Sequence, residues 1–208
     1  MLHRLMSLIL YPSYALSYLR SKWLYHLITR NKGLEIKGRL ILDGRPMISI
    51  TEGASIIIKN NVTLNSINKK EYHVNMYAPV KLLADRPEAK ITIGENTRIH
   101  GTCIHAYKEI NIGSNCLIAA NAQIFDGSGH ALAFPDVENR INTRGDAKPI
   151  TIADNVWVGA NCIILPGTRI GNGSIIAAGS VVVGDIPSFV VAGGNPAKVI
   201  KDYSNERF

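Results

Sequence analysis

From Ile152 onward an aliphatic residue returns at every sixth position: Ile152, Val158, Ile164, Ile170, Ile176 and Val182. Four residues after each of the first five stands a small or β-branched side chain, in turn Val156, Cys162, Thr168, Ser174 and Ser180. Gly159, Gly171 and Ala177 directly follow their aliphatic openers, where a tight corner leaves little room for a side chain. The same frame opens earlier at Ile93, Ile99 and His105, resumes one residue late at Ile112, Ile118 and Ile124, and has a fainter copy at Ile50, Ile56 and Val62. Thr97, Cys103, Cys116 and Ala122 take the small slot in these stretches, so all three cysteines are expected to point inward. A period of six matches neither the 3.6-residue helix nor the two-residue strand. Self-similarity at a fixed period marks a solenoid instead. Three such units carry the chain once around a triangular coil, and short strands of successive coils stack in parallel. No coil buries its apolar face alone, so stability is a sum over neighbours.

The expected architecture is therefore an all-β solenoid over residues 34–186, preceded by an apolar and basic helical segment, 1–33, and followed by a short segment, 187–208, that folds back. Two stretches leave the frame, about 68–90 and 127–149. Regular coils need no excursion of that length, and loops so long are usually functional or disordered.

A chain of 208 residues can bury a full core and is expected to form one domain. Its formal charge of +7 changes meaning once located, because the first forty positions hold seven Lys and Arg residues against Glu35 alone. The body is then nearly neutral, which argues against nucleic acid as a partner. Cys103, Cys116 and Cys162 contain no C-x-x-C pair, which argues against a disulfide framework or a zinc knuckle.

In the amino-terminal segment, Pro12 interrupts the uncharged run between Arg4 and Arg20, so a spanning helix of about 20 residues does not fit. Leu16, Leu19, Trp23 and Leu27 follow helical spacing, with apolar residues on the other faces as well. The leading expectation is an interfacial helix in which residues 1–30 touch anionic lipid at the inner membrane face. A helix packed on its own protein or a neighbouring subunit is the alternative. A cleaved secretory signal is weaker, for want of a clear cleavage site.

The stretch "ITIADNVWVGANCIILPGTRIGNGSIIAAGSVVVGDIPSFVVAGGNPAKVIK" resembles the hexapeptide-repeat acyltransferases, especially the galactoside, maltose and polysaccharide O-acetyltransferase branch. The resemblance is strong from about Ile91 to Lys201. It implies a left-handed parallel β-helix, a handedness the period alone does not supply, since parallel crossovers are right-handed in about 98% of cases. It further implies a homotrimer, acetyl-CoA as co-substrate without a metal, and a sugar or glycan acceptor. The basic, Tyr-rich amino terminus suggests an acceptor held at the inner membrane face, in surface polysaccharide or lipopolysaccharide biosynthesis, and the cytoplasmic supply of acetyl-CoA agrees with a cytoplasmic enzyme on that side. His130, in "FDGSGH" before the coil Pro149-Ile150-Thr151-Ile152-Ala153-Asp154-Asn155-Val156-Trp157-Val158-Gly159, matches the general base of those enzymes. A sugar hydroxyl needs such a base near neutral pKa to attack a thioester. Gly159 and Ala160 match the corner whose backbone N–H meets the developing oxyanion. Ala178 matches the small residue beneath pantetheine, or is only a corner residue. Lys198 and Lys201 match basic positions near the nucleotide, or are simply solvated. His100 and Tyr107 are expected at the acceptor side with Thr102 and His105 on the same coil. Asp126 is a third acceptor-side candidate, which would orient the imidazole, hold a sugar hydroxyl, or lie solvated in the loop.

Other functions stay open at this point. His100 and His105 are five residues apart, as in the zinc-binding γ-class carbonic anhydrases of the same fold, and His130 would be the third ligand. A soluble sugar or xenobiotic acceptor fits the same repeats, and so does a non-catalytic trimeric scaffold.

Overall fold

The computed structural model describes residue 23, residues 25–70 and residues 72–206. The chain forms a left-handed parallel β-helix of three sheets, visited in rotation. Sheet 1 stacks Leu34–Ile36, Ser55–Ile58, Lys90–Ile93, Glu109–Ile112, Ile150–Ile152, Arg169–Ile170 and Asp185–Ile186. Sheet 2 stacks Leu40–Asp43, Val62–Asn65, Arg98–His100, Leu117–Ile118, Trp157–Val158, Ile175–Ile176 and Val190–Gly194, and Ala197–Asp202 closes it as an antiparallel hairpin partner. Sheet 3 runs from Met47–Ile50 through Lys81–Ala84, Cys103–Ala106, Gln123–Phe125 and Ile163–Ile164 to Val181–Val182.

The six-residue period has a direct physical translation. Ile152 pairs with Ile170, Val158 with Ile176 and Ile164 with Val182, three units further on in each case. All six side chains are buried in the single core that fills the prism. Burying each aliphatic side chain stabilises the fold by roughly 1.5–3 kcal/mol. The small slot braces neighbouring coils: Thr97 Oγ1 donates to Gly113 O at 2.8 Å, Thr168 Oγ1 to Val182 O at 3.2 Å and Ser174 Oγ to Pro187 O at 2.6 Å. These hydroxyls are buried but satisfied, as buried polar groups must be.

A second repeat accompanies the aliphatic one. On most rungs of sheets 2 and 3, Asn or Gly stands in the left-handed backbone region three residues before the inward aliphatic residue, including Asn96 (φ 56°), Asn115 (φ 56°), Asn155 (φ 59°) and Asn161 (φ 58°). Asn tolerates this region better than other side chains, which is why it turns the corners here. The amides also stack, with Asn61 Nδ2 donating to Asn96 Oδ1 at 2.9 Å and Asn96 Nδ2 to Asn115 Oδ1 at 3.2 Å.

Several expectations need correction. Cys116 and Cys162 are buried, but Cys103 is half-exposed on the outside of sheet 3. Gly101, at φ 44°, turns the corner early, so Thr102 takes the buried slot and Ile104, not His105, points inward. The unit from Ile99 to Ile104 is thus one residue short, and the turn at residues 107–109 makes the next, from Ile104 to Ile112, two residues too long, so the frame resumes one residue late. The early copy is also out of phase: Ile58 and Leu64, not Ile56 and Val62, are the partners of Ile93 and Ile99. The first excursion covers residues 66–80, because Lys81–Ala84 is a rung of sheet 3. Beyond Pro187, Val190–Gly194 adds one more parallel rung to sheet 2 before the chain folds back.

At the other end, residue 23 and residues 25–28 are helical, and Ile28 is buried. Leu16 and Leu19, with Arg4, Arg20 and Lys22, lie outside the described residues, and so does most of the segment expected to touch lipid. No helix among the described residues is long and apolar enough to cross a membrane.

Candidate active site

The second excursion, residues 126–149, leaves the helix where sheet 3 meets sheet 1. Its root is a polar clamp. Asp126 is fully buried, and its carboxylate accepts the N–H groups of Tyr107 (2.6 Å), Lys108 (2.8 Å) and Glu109 (2.6 Å). Asp126 therefore holds the turn at residues 107–109 and offers nothing to His130 or to a sugar, which corrects its expected place among the acceptor contacts. Tyr107 lies beneath the loop: a side chain at Gly127 would meet its ring at 2.8 Å. His105 stacks on Tyr107 with ring centroids 4.2 Å apart, and its buried Nε2 stands 3.3 Å from Asp85 Oδ2 without a hydrogen-bonding angle.

Two residues that the sequence did not single out hold the arm in place. Arg86 lays its guanidinium over the Tyr107 ring at 4.4 Å and donates from Nη2 to Gly145 O at 2.9 Å. Gly145 passes so close to the returning chain that a Cβ would lie 2.4 Å from Ser128 O and 2.6 Å from His130 O. Nothing local in the sequence marks either residue, because both act outside the repeat. His130 itself is exposed, with Leu132, Phe134 and Ile141 each 75% exposed on the same arm.

Gly159, Ala160 and Ala178 lie at a different corner, where sheet 2 meets sheet 3. Gly159 N–H donates to Ile176 O at 2.8 Å, and a Cβ on Gly159 would lie 2.6 Å from Ala178 N, so the coils meet there with no space for a side chain. Ala160 O accepts Gly179 N–H at 2.8 Å, whereas Ala160 N–H has no acceptor among the described residues. Ala178 is exposed beside it. A shallow ledge of small residues with an unspent N–H suits the amide chain of pantetheine. Lys198 is exposed across the terminal hairpin from Gly193. Lys201 stands over the Tyr203 ring at 4.2 Å and reaches Glu206 at 4.0 Å, so its ammonium is already engaged and its pKa is raised, chiefly by Tyr203.

His100 occupies a third setting. It is half-buried on sheet 2, with its Nδ1 3.1 Å from Asn65 Nδ2 and its edge to Tyr72, ring centroids 5.5 Å apart. Burial, reinforced by Arg98, lowers its pKa and favours the neutral imidazole. It opens onto a cleft of about 310 Å³ roofed by the first excursion and walled by Trp157 and Leu117. His100 and His105, expected together, thus face outward from different sheets, and one chain does not gather His100, His105 and His130 around a metal. No cluster of three metal-ligating side chains occurs among the described residues. Burial raises the pKa of all three thiols, which disfavours a thiolate nucleophile.

The sequence and fold have clear relatives. Residues 149–184 match the family model described as bacterial transferase hexapeptide (six repeats). The galactoside O-acetyltransferase of Escherichia coli K12 is 40% identical over 119 residues, which cover 56% of this chain and 56% of that protein. A solved galactoside acetyltransferase in complex with coenzyme A is 39% identical, with a TM-score of 0.51 over 55% of this chain and 56% of that one. The polySia-specific acetyltransferase NeuO is 26% identical, with a TM-score of 0.53 over 83% of this chain and 88% of that one. The chain spans about half the length of the curated relatives it matches first. In its repeats and its coil geometry the chain resembles the hexapeptide-repeat acetyltransferases.

Proposed function

We propose that the protein is an acyl-CoA-dependent O-acetyltransferase acting on a hydroxyl of a sugar, in an assembly of three chains. The observation that carries this reading is the pairing of two separated features. One is a clamped arm that presents His130 to solvent at one corner of the prism. The other is a ledge, Gly159–Ala160 with Ala178, that has an unspent Ala160 N–H at the next corner. Sheet 3 lies between them within one chain, which supports a site completed by a neighbouring chain. The outer side of sheet 2 supports such packing: Leu117 and Trp157 are 44% and 49% exposed and continue into Ile175 and Val191.

In the reaction, His130 takes the proton of the acceptor hydroxyl as its oxygen attacks the thioester carbon. The new C–O bond forms, the C–S bond breaks, and the proton passes to the departing thiolate to give free coenzyme A. The Ala160 N–H stabilises the negative charge on the carbonyl oxygen in between. The buried cysteines take no part. The relatives named above act on sugars or polysialic acid by their names, which supports a glycan acceptor, with surface polysaccharide or lipopolysaccharide as its setting. A cytoplasmic supply of acetyl-CoA fits this, and contact of residues 1–30 with the inner membrane face would bring the enzyme to a lipid-linked acceptor. Co-sedimentation of the full chain with anionic vesicles, weakening as salt rises, is the expected result for that contact; equal recovery with neutral vesicles would refute it.

The deciding experiment is thiol release from acetyl-CoA with a panel of glycan acceptors. His130→Ala should lower kcat by roughly 10²–10⁴ while the Kd of coenzyme A stays within twofold. Unchanged turnover would remove His130 from the reaction.

A further inference from the structure

The cleft at His100 carries information about the acceptor that the catalytic residues do not. It lies on the outside of sheet 2 and abuts the Gly159–Ala160 ledge: Ala119 N–H donates to Val158 O and Asn161 N–H to Ala120 O, both at 2.9 Å, and Ala119, Ala120 and Trp157 all line the cleft. Any acceptor hydroxyl attacking a thioester at that ledge must bring the rest of its sugar close by.

The chemistry of the lining is one-sided. Among the described residues its polar side chains are Tyr72, His73, Arg98, His100 and Trp157, and no carboxylate or amide carbonyl is among them. Hydrogen bonding assigns the direction of two of these groups. Asn65, 2% exposed, directs its Nδ2 to both Tyr72 Oη and His100 Nδ1, while its Oδ1 accepts Ile67 N–H. With Tyr72 Oη and His100 Nδ1 both accepting, Tyr72 O–H and His100 Nε2–H are left to donate. Arg and Trp can only donate. A neutral sugar presents hydroxyls that must donate as well as accept, and for those protons the side chains of this lining offer only the remaining lone pair of Tyr72 Oη and a ring nitrogen of His73, against donors from Tyr72, Arg98, His100 and Trp157. A carboxylate or phosphate accepts only, and a guanidinium meets either with two parallel charge-assisted bonds.

The position of Arg98 adds an independent argument. Along the outward column of sheet 2 its register neighbours are Thr63 and Leu117, followed by Trp157, Ile175 and Val191. Arg98 is exposed and forms no ion pair among the described residues, whereas nearby Lys69 is paired with Asp43. A lone guanidinium at the mouth of this cleft is therefore free to meet an anionic group that enters it.

We propose that the acceptor is an anionic sugar, whose carboxylate or phosphate is held by Arg98 with donors from Tyr72 and His100, while the Trp157 ring packs on the sugar face. This rests on the acetyltransferase function above and narrows its substrate class. The first excursion is then the specificity element, because it supplies Tyr72 and His73 to a cleft whose floor belongs to the coils.

Binding of methyl β-glucuronide, glucose 1-phosphate and methyl β-glucoside to the full chain, followed by ligand-observed NMR titration, tests this without relying on turnover. The anionic sugars should bind at least about tenfold more tightly than the neutral one, equivalent to about 1.4 kcal/mol. Arg98→Gln should erase the preference, Arg98→Lys should keep part of it, and neither should change the Kd of acetyl-CoA. A stronger response to the glucuronide points to a sugar acid, and a stronger response to the phosphate points to a phosphosugar; both support the anion. Equal binding of the neutral glucoside would overturn the proposal. So would displacement of the glucuronide by coenzyme A, or an Arg98→Gln protein that falls apart into single chains yet keeps the preference. Absence of acetyl transfer to every sugar tested, with the anion preference intact, would instead count against the acetyltransferase function.

Discussion

Sheets 1 and 2 share one core and differ on the outside. Inward, Ile112 and Ile152 on sheet 1 and Ile118 and Val158 on sheet 2 are equally buried. Outward, sheet 1 carries Glu35, Thr92, Asn111, Thr151, Arg169 and Asp185, with Ile57 as its one aliphatic interruption. Sheet 2 carries Leu117, Trp157, Ile175 and Val191 in an unbroken apolar run, with Arg98 at its edge. The repeat constrains the inner positions alone, because only they must fill the same prism at every coil. The outer positions are free to differ from face to face, and they are polar on sheet 1 and apolar on the later coils of sheet 2.

The largest expected effect comes from placing a charge on the two outer faces in turn. Ile175→Glu should dissociate the assembly and reduce acetyl transfer by at least roughly 10²-fold, since His130 and the ledge then no longer meet. Thr151→Glu, on sheet 1, should leave both unchanged, as surface substitutions usually stay within about 0.5 kcal/mol. Size-exclusion chromatography with light scattering and a thiol-release assay read the two outcomes. Equal behaviour of the two variants would abolish the distinction between the faces.

The inner faces should respond alike. Ile112→Ala and Ile118→Ala should each cost about 2–5 kcal/mol in denaturant unfolding, with neither sheet favoured, because each leaves a cavity in the same core. A large asymmetry would mean that the core is not shared as the register implies.

The smallest effect is a difference in pH response. The pKa of His100, on sheet 2, is held below its ordinary value of 6.5 by burial and then by Arg98. The unfolded chain therefore binds the proton more readily. The associated stability is complete above pH 6.5 and declines as the pH falls toward the lowered folded value. Thermal melts between pH 7.5 and 5 should show this slope in the wild type and a flatter one in His100→Asn, whereas Thr151→Val on sheet 1 should not alter it. An unchanged slope in His100→Asn would place the acid sensitivity elsewhere.

Much of the helix was legible because the repeat states its geometry directly. Ile152, Val158, Ile164, Ile170, Ile176 and Val182 predicted the stacking of the last coils, where no excursion intervenes. The Asn residues three positions before many of the inward aliphatics are equally visible in the sequence, but their role follows from backbone conformation rather than hydrophobicity. Legibility failed where the period slips. Cys103 and His105 sat in the expected slots by counting, but Gly101 turns early and moves both to the outside. The candidate site was legible as a set of residues and not as an arrangement. His130 could be marked from its motif, yet the motif does not say that His130 and Ala160 occupy different corners. Asp126 stood in sequence as an acceptor-side candidate, and only the three N–H groups it accepts show that it serves the turn.

The sequence by itself determined the solenoid, its inner ladders, the two departures from the frame and the histidine on the second of them, because each follows from spacing along the chain. The tertiary structure decided which residues share a corner, which column of outward side chains is apolar, and which polar groups remain free to bind something. Those properties depend on distances between coils set by corner geometry and loop closure, and a shift of one residue at Gly101 is enough to turn a core position into a surface one.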